Sequence, residues 1–488
     1  MSSLEEIRQE REAKRDALIA RGIDPYPSSV GRTHRIADVQ KDFDTLAEKA
    51  TDVVLAGRIM SLRRHGGSTF ADIFDGSDRI QVFFSRDALG EDSYALLSET
   101  VDASDFIEAG GTVFVTGRGE RTLAVREWRM LSKSLQALPS EFYGLKDEDE
   151  RYRKRYIDLL LNEQTRDLVE KRAKFWSAVR RFHEQHQFIE VHTPTLEVTT
   201  GGGDARPFAT HHHALDMDVY LRISAGELWQ KRLMVAGIEK TFEVGRIFRN
   251  EGMSAEHLQE YEQCEAYWAY ADFKQMYEFL RDCYRYVAQE TFGTQKFSIR
   301  GFEIDLSGEW PLLDYVETIE KNTGINIWEA SDDEMRAKLR ELKVEYDEKT
   351  AGRERLIDTL WKYCRKSIGG PAILINEPKI TSPLAKTRKE DERTVERFHF
   401  IIAGSEVGQG YSELNDPADQ RARFEAQQAL RDAGDEEAQM ADMEFVEALE
   451  YGMPPTAGHG FSERLFAFLM DKPAREIQLF PLMRPRGE

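Results

Sequence analysis

The sequence predicts an α+β protein in which a small β-barrel precedes a larger domain of mixed helices and strands. Three observations lead there. Between about Asp52 and Ala137 the chain runs in short stretches rich in β-branched and aromatic residues, separated by turn groups such as Asp75-Gly-Ser-Asp78. After it, residues 157–187 carry apolar side chains on one helical face (Leu160, Leu168, Phe175, Val179, Phe182). Further on, Phe242, Val244, Ile247 and Phe248 form one apolar strand and Ala266 to Tyr270 another. Arg249, Glu251, Glu256, His257 and Glu260 crowd the loop between them, more ionisable groups than a plain hairpin needs.

Taken in order, residues 4–21 form a charged helix with both signs interleaved, either a solvated face or a surface for a polyanion. Gly22 and the prolines of Gly22-Ile-Asp-Pro-Tyr-Pro27 end it. The helical extension occupies 1–50 and the barrel 51–140. Val53–Ile59, Ser68–Ile73, Arg79–Phe84 and Gly111–Gly117 are its strands, and an oligonucleotide-binding fold is a candidate beside a generic barrel. A charged linker covers 141–155 and the larger domain 156–488. Phe188–Pro194 is a strand broken by proline, and the charged, helix-rich stretch 310–370 reads as an insertion or covering layer.

The chain's 488 residues allow two or three full cores. A net charge of −21 argues against a protein that coats nucleic acid non-specifically, and leaves room for docking through a local basic surface. No apolar run is long enough to span a membrane. The N-terminus lacks the basic-then-apolar layout of a signal peptide. Three scattered cysteines without CxxC spacing speak against a disulfide framework or zinc site. A cytoplasmic protein is expected.

Phe248-Arg249-Asn250-Glu251-Gly252 followed by His257 resembles the second signature motif of class II aminoacyl-tRNA synthetases. Phe188 to Leu196, with Pro194, matches the first motif, and Gly458-His-Gly-Phe-Ser-Glu-Arg464 the third, in the required order. Within the class, the chain resembles lysyl-tRNA synthetases through Gly201-Gly-Gly-Asp-Ala-Arg-Pro-Phe208, Ser382-Pro-Leu-Ala-Lys386, Tyr411-Ser-Glu-Leu-Asn-Asp-Pro417, Tyr451-Gly-Met-Pro-Pro455 and Phe480-Pro-Leu-Met-Arg-Pro485. The likeness runs from about residue 5 to 486.

The resemblance implies an antiparallel catalytic sheet flanked by helices and a homodimer formed through Phe188–Leu196. It implies ATP-dependent activation of L-lysine with Mg²⁺, and charging of tRNA(Lys). Arg249 would hold the α-phosphate and the lysine carboxylate, and Arg464 the γ-phosphate end. Tyr261 would stack on adenine, with Glu251 and His257 completing the nucleotide site. Gly202, Glu227, Arg249, Glu265, Tyr267, Gln409, Tyr411 and Glu413 would form the lysine site. Glu265 and Tyr267, two apart on a strand, point the same way; the bland alternative for Glu265 is a solvent-facing strand position. Glu406 and Glu413 would be metal ligands. Their odd spacing puts them on opposite faces of a perfect strand unless Gly408 and Gly410 host a bulge. In the barrel, Phe70 and Gln81, with Arg63 a weaker third, would read the anticodon, although Phe70 also suits a barrel core.

Several positions depart from the family pattern. His399 stands where a second metal-binding glutamate is usual, leaving the ion count open. Glu256 replaces an arginine usual beside the motif 2 histidine, Leu258-Gln259 replace Asn-Pro, and Gln409 replaces an asparagine. Ser224-Ala-Gly226 runs one residue long and the third motif one short. Two other readings share the motifs: an aspartyl- or asparaginyl-type synthetase, and a tRNA-binding regulatory paralogue that does not charge.

Overall fold

In the computed structural model, residues 4–139, 145, 147–203, 205–250, 252, 254–346, 351–382, 384–432 and 439–486 are described. The chain divides into two compact units between Glu148 and Asp149.

The first unit is a closed barrel of oligonucleotide-binding type. Its strands are β1 (Asp52–His65), β2 (Ser68–Phe74), β3 (Arg79–Ser85), β4 (Phe106–Val115) and β5 (Arg121–Ser132), in the order β1-β2-β3-β5-β4. Strict alternation along β2 and β3 turns Ala71, Ile73, Ile80, Val82 and Phe84 inward. At Gly111 an added Cβ would lie 1.9 Å from the Ala124 carbonyl oxygen, so only glycine lets β4 and β5 close there. Strand β5 is the one the sequence patterning did not separate, because charged residues interrupt its alternation. The N-terminal helix, Leu4–Ala20, is not solvated all round: Leu18 joins the barrel core and Arg11 donates to the carbonyls of Ala103 and Gln136, both at 2.9 Å.

The second unit is built on an eight-stranded sheet. Its members are β6 (Ile189–Glu190), β10 (Lys240–Phe248), β11 (Glu260–Ala269), β14 (Leu312–Asp314), β15 (Ala372–Ile375), β16 (Arg397–Ile402), β17 (Ser405–Ser412) and β18 (Thr456–Ser462). The order is β14-β15-β16-β17-β18-β11-β10-β6, antiparallel except for the β14–β15 and β10–β6 pairs at the edges. Two small sheets complete the strand set: β7 (Leu196–Glu197), β8 (Ala209–His212) and β9 (Met217–Leu221) in one, and the pair β12 (Lys296–Ile299) and β13 (Phe302–Asp305) in the other.

Helices Glu163–Gln185 and Phe273–Phe292 bury their apolar faces in the core that includes Phe242, Phe400 and Phe461 of the sheet. The second is fixed at its start by a capping box between Asp272 and Gln275 and stopped at Gly293, φ 70°. Helices Tyr315–Thr323, Asp332–Glu341 and Arg353–Arg365 fill the 310–370 stretch, with a core of their own that includes Leu374 and Ile401 of the sheet.

Two expectations change. The helix over 157–187 is two helices, Arg155–Leu161 and Glu163–Gln185, because the Asn162 side chain accepts the Gln164 N–H at 3.1 Å and restarts the second as its N-cap. The second strand of the motif 2 hairpin begins at Glu260 rather than Ala266. Pairing runs unbroken from Phe248–Glu260 to Lys240–Trp268, so backbone ladders override the polar side chains.

The core holds two histidines in contact. His183 Nδ1 lies 2.8 Å from the Val179 carbonyl oxygen and must donate to it, which leaves Nε2 as acceptor for His459 Nε2–H at 3.2 Å. His459 Nδ1 is then buried without a partner. Burial holds His459 well below its usual range and His183 at about 4. The unfolded chain takes up these protons near pH 6.5, whereas the folded His183 refuses its proton until about pH 4. Stability from this site is therefore complete above about pH 6.5 and falls as the pH drops toward 4, by up to roughly 3 kcal/mol for one such group. His459→Leu should flatten the acid limb of a stability–pH profile measured by denaturant unfolding; an unchanged slope would remove the pair as its source.

Candidate active site

Strand β11 carries Glu265 and Tyr267 on one face, and both line a cavity against β17, β18 and the start of helix Glu227–Val235. Glu265 is 4 % exposed and accepts hydrogen bonds from Ala225 N–H at 3.0 Å, the Tyr267 hydroxyl at 3.2 Å and the Gln263 amide. It is a pocket residue, not a solvent-facing one. Glu227 opens its helix after Gly226, φ 76°, where an added Cβ would meet Thr193 Oγ1 at 2.1 Å. Its carboxylate accepts from the Tyr411 hydroxyl and from Lys231 Nζ at 2.6 Å. Glu413 follows β17, with Oε2 2.5 Å from the same ammonium. Room for this cluster depends on glycine: a Cβ at Gly458 would stand 2.5 Å from Glu413 Oε1, and one at Gly202 2.8 Å from Glu227 Oε2.

Two of these carboxylates, Glu227 and Glu413, share one buried ammonium, and the Glu265 carboxylate lies close enough to be repelled by Glu227. Burial first, then repulsion from Glu227, pushes the Glu265 carboxyl up; burial pushes Glu413 up against the opposing pull of Lys231. Tyr267 and Tyr411 are held protonated by burial and by the adjacent carboxylates, so both act as donors. The pocket carries an excess of negative charge that an entering cation would balance. Lys231 is the residue that sequence reading missed. Its signal was Glu227-x-x-x-Lys231, opposite charges one helical turn apart.

The other end of the cavity is cationic. Arg249 follows β10 and donates Nε to the Ile223 carbonyl at 3.2 Å, with its guanidinium 6.0 Å from the Tyr261 ring centre. Arg464 begins helix Arg464–Leu469 and donates Nη1 to the Glu406 carbonyl at 3.1 Å. Both line the cavity with Tyr261, Glu406 and Gln409. Gln409 is exposed and accepts from Arg397. His257 Nδ1 sits 2.7 Å from Ser254 Oγ, and its protonation is disfavoured by burial and by the guanidiniums of Arg464, Arg365 and Arg249. Glu251 lies outside the described residues. Glu256 is bound by Arg300 and by Ser405 Oγ at 3.1 Å.

Glu406 and Glu413 both reach the cavity, through a bulge at a different residue from the one expected. Phe400 pairs with Gly408 and Ile401 with Glu406, leaving Val407 as the extra residue. Gly408 and Gly410 instead give close packing: a Cβ on Gly408 would lie 2.2 Å from the Tyr284 hydroxyl and one on Gly410 2.4 Å from the Gly458 carbonyl oxygen. Glu406 accepts from Trp361 Nε1 at 2.5 Å and faces His399 Nδ1 at 3.7 Å, whereas Glu413 belongs to the Lys231 cluster. His399 Nε2 bonds Glu377 at 2.6 Å; the Glu377 carboxyl is drawn down to about 2, against its burial, by Arg397 and His399. Among the described residues no three His, Cys, Asp or Glu side chains cluster as a closed metal site. Glu406 fits a hard cation that takes one carboxylate and completes its shell with phosphate oxygens; Glu413, already beside an ammonium, fits less well.

On the barrel, Phe70 is half-buried on the outer face, between inward Thr69 and Ala71, so it is not a core residue. Arg63 pairs with Phe70 across β1–β2, Phe70 with Phe83 and Asp72 with Gln81 across β2–β3. The three candidates therefore share one face. Phe83, 4.7 Å from Phe70, and Phe114 extend it into an aromatic strip that the sequence reading missed.

Comparison with known proteins agrees with this geometry. Residues 147–484 match the family described as tRNA synthetases class II (D, K and N), and residues 53–131 match the OB-fold nucleic acid binding domain. The lysine–tRNA ligase of Thermosipho africanus (strain TCF52B) is 40% identical over 488 residues, 99% of this chain and 97% of that protein. Those of Roseiflexus sp. (strain RS-1) and Moorella thermoacetica (strain ATCC 39073 / JCM 9320) are each 42% identical, covering 99% of this chain and 99% and 97% of theirs. With a family match over most of its length and full-length relatives at this identity, the chain belongs to the class II tRNA synthetases (D, K and N).

Proposed function

We propose that this chain is a lysine–tRNA ligase: it activates L-lysine with ATP and transfers the lysyl group to tRNA(Lys). The observation that carries the reading is the buried cluster of Glu227, Glu265 and Glu413, in which the carboxylates outnumber the single ammonium of Lys231, at the end of a cavity whose other end holds Arg249 and Arg464. A substrate with an ammonium at one end and a reactive carboxylate at the other fits this polarity.

Glu265, Glu413 and the Tyr267 hydroxyl meet the ε-ammonium. Glu227 meets the α-amino group, with Gly202 giving it room and Tyr411 and Gln409 closing the sides. Arg249 aligns the lysine carboxylate with the α-phosphate, Tyr261 stacks on adenine, and Glu251 and His257 complete the nucleotide site. The carboxylate oxygen attacks the α-phosphorus, the bond to the β-phosphate breaks, and diphosphate leaves with its charge met by Arg464. Catalysis is positioning plus electrostatic stabilisation, with no side-chain nucleophile. A terminal ribose hydroxyl of the tRNA then attacks the carbonyl and AMP leaves. Mg²⁺, held by Glu406 with His399 alongside, would neutralise phosphate charge.

An aspartate or asparagine substrate is disfavoured because the pocket offers carboxylates where a cation would be needed. A non-charging role is disfavoured because Arg249 and Arg464 both line the cavity. A homodimer through Phe188–Leu196 is supported by Ile189 and Leu196, which are 57 % and 50 % exposed in the single chain. A cytoplasmic site of action is supported by three buried, unpaired cysteines. Among the described residues no helix is long and apolar enough to cross a membrane.

ATP–diphosphate exchange with each of the twenty amino acids tests the reading. Lysine alone should support strong exchange, and the same preparation should have the mass of two chains by light scattering at micromolar concentration. Stronger exchange with aspartate or asparagine would overturn the substrate assignment.

The barrel's part is read separately. Phe70 and Gln81 are proposed to contact the anticodon, with Arg63 beside them. Changing both Phe70 and Gln81 to Ala should lower charging of tRNA at least about tenfold, since each lost stacking contact is worth roughly 1–3 kcal/mol. Exchange without tRNA should stay near wild type. Unchanged charging by a folded double variant would mean that this face is not the reading surface.

A further inference from the structure

Arg365 is the last residue of helix Arg353–Arg365, one helical turn after Trp361, and residues four apart lie on one face. Trp361 reaches the rim of the cavity, donating Nε1 to Glu406 at 2.5 Å. From a layer outside the catalytic sheet, the Arg365 charge acts on the Glu406 carboxylate, on His257 and on Arg464. Its Nε and Nη1 are buried and have no hydrogen-bond partner among the described residues. An unmet buried donor on a charged group is costly. A guanidinium at a helix C-terminus also complements the helix dipole, but that would not leave two of its donors unmatched.

The surroundings point to the missing partner. The charges of Arg249, Arg365 and Arg464 all act on His257, and those of Arg365 and Arg464 on each other. Three guanidiniums whose charges reach one imidazole suit a multiply charged anion. Beside that imidazole, position 256 carries a glutamate engaged by Arg300 and Ser405, where the related motif usually carries an arginine.

We propose that Arg365 is a triphosphate-binding residue, supplying from the helical layer the guanidinium that position 256 lacks. The proposal rests on the reading of this cavity as an ATP site. In it, Arg249 serves the α-phosphate, while Arg365 joins Arg464 and His257 around the β- and γ-phosphates. The departure at Glu256 is then a relocation of charge within the site rather than a loss of it.

Titration calorimetry of the full-length protein with Mg-ATP and, separately, with AMP tests this. Arg365→Ala should weaken ATP binding at least about tenfold, the worth of a charge-assisted contact, and leave AMP binding within about twofold. Arg365→Lys, which keeps the charge, should retain most of the ATP affinity; if the alanine variant does not fold, Arg365→Gln is compared with Arg365→Lys in its place. Equal weakening of ATP and AMP would identify a merely structural residue and overturn the proposal. So would ATP affinity within about twofold of wild type. Lysine-dependent diphosphate exchange by the wild-type protein, run alongside, separates the two readings. Its absence would refute lysine activation, while the ATP-against-AMP comparison still decides for Arg365.

Discussion

Burying three carboxylates in one pocket with a single ammonium is the constraint on which the rest of this catalytic unit depends. Isolated, each carboxylate would cost several kcal/mol in a low-dielectric interior. Here they are held by Lys231, by two phenols whose own ionisation is suppressed, and by the Ala225 N–H. The arrangement is satisfied only in part, because the carboxylates outnumber the one ammonium. It also dictates the sequence around it. Gly202 and Gly458 are small because the carboxylates occupy the space a Cβ would need.

The opposite end of the cavity is organised by the converse rule. Arg249 and Arg464 are anchored by backbone carbonyls, of Ile223 and Glu406, and the strongest opposing charge acting on Arg464 is that of Glu256. Anchoring through a neutral acceptor fixes the guanidinium's position while leaving its charge for a ligand. The sheet therefore presents a dipolar slot, acidic at one end and basic at the other. The bulge at Val407 aligns the two: without the extra residue, Glu406 and Glu413 would fall on opposite faces of β17.

Much of this was legible in the sequence, for identifiable reasons. Barrel strands β2 and β3 alternate cleanly, and Glu265-x-Tyr267 reads directly as one strand face. What was not legible depends on contacts distant in the chain. The side chain of Asn162 divides a helix whose apolar periodicity continues on both sides. The true start of β11 is set by its ladder with β10, not by its own polar side chains. The role of Lys231 depends on Glu413, far along the sequence, which meets it only in the folded chain. The expected bulge at Gly408 or Gly410 failed because those glycines answer to close neighbours, Tyr284 and Gly458, that only the folded sheet supplies. Phe83 and Phe114 become a surface strip only when the barrel closes beside Phe70.

The central claim, that the pocket's uncompensated negative charge selects an ammonium, is tested most directly by comparing L-lysine with L-norleucine, the same straight side chain without its charged nitrogen. Calorimetric titration of the full-length protein should find lysine preferred by at least about a thousandfold, because norleucine brings no charge to offset the pocket's excess of carboxylates. Norleucine binding within about tenfold of lysine would contradict the account.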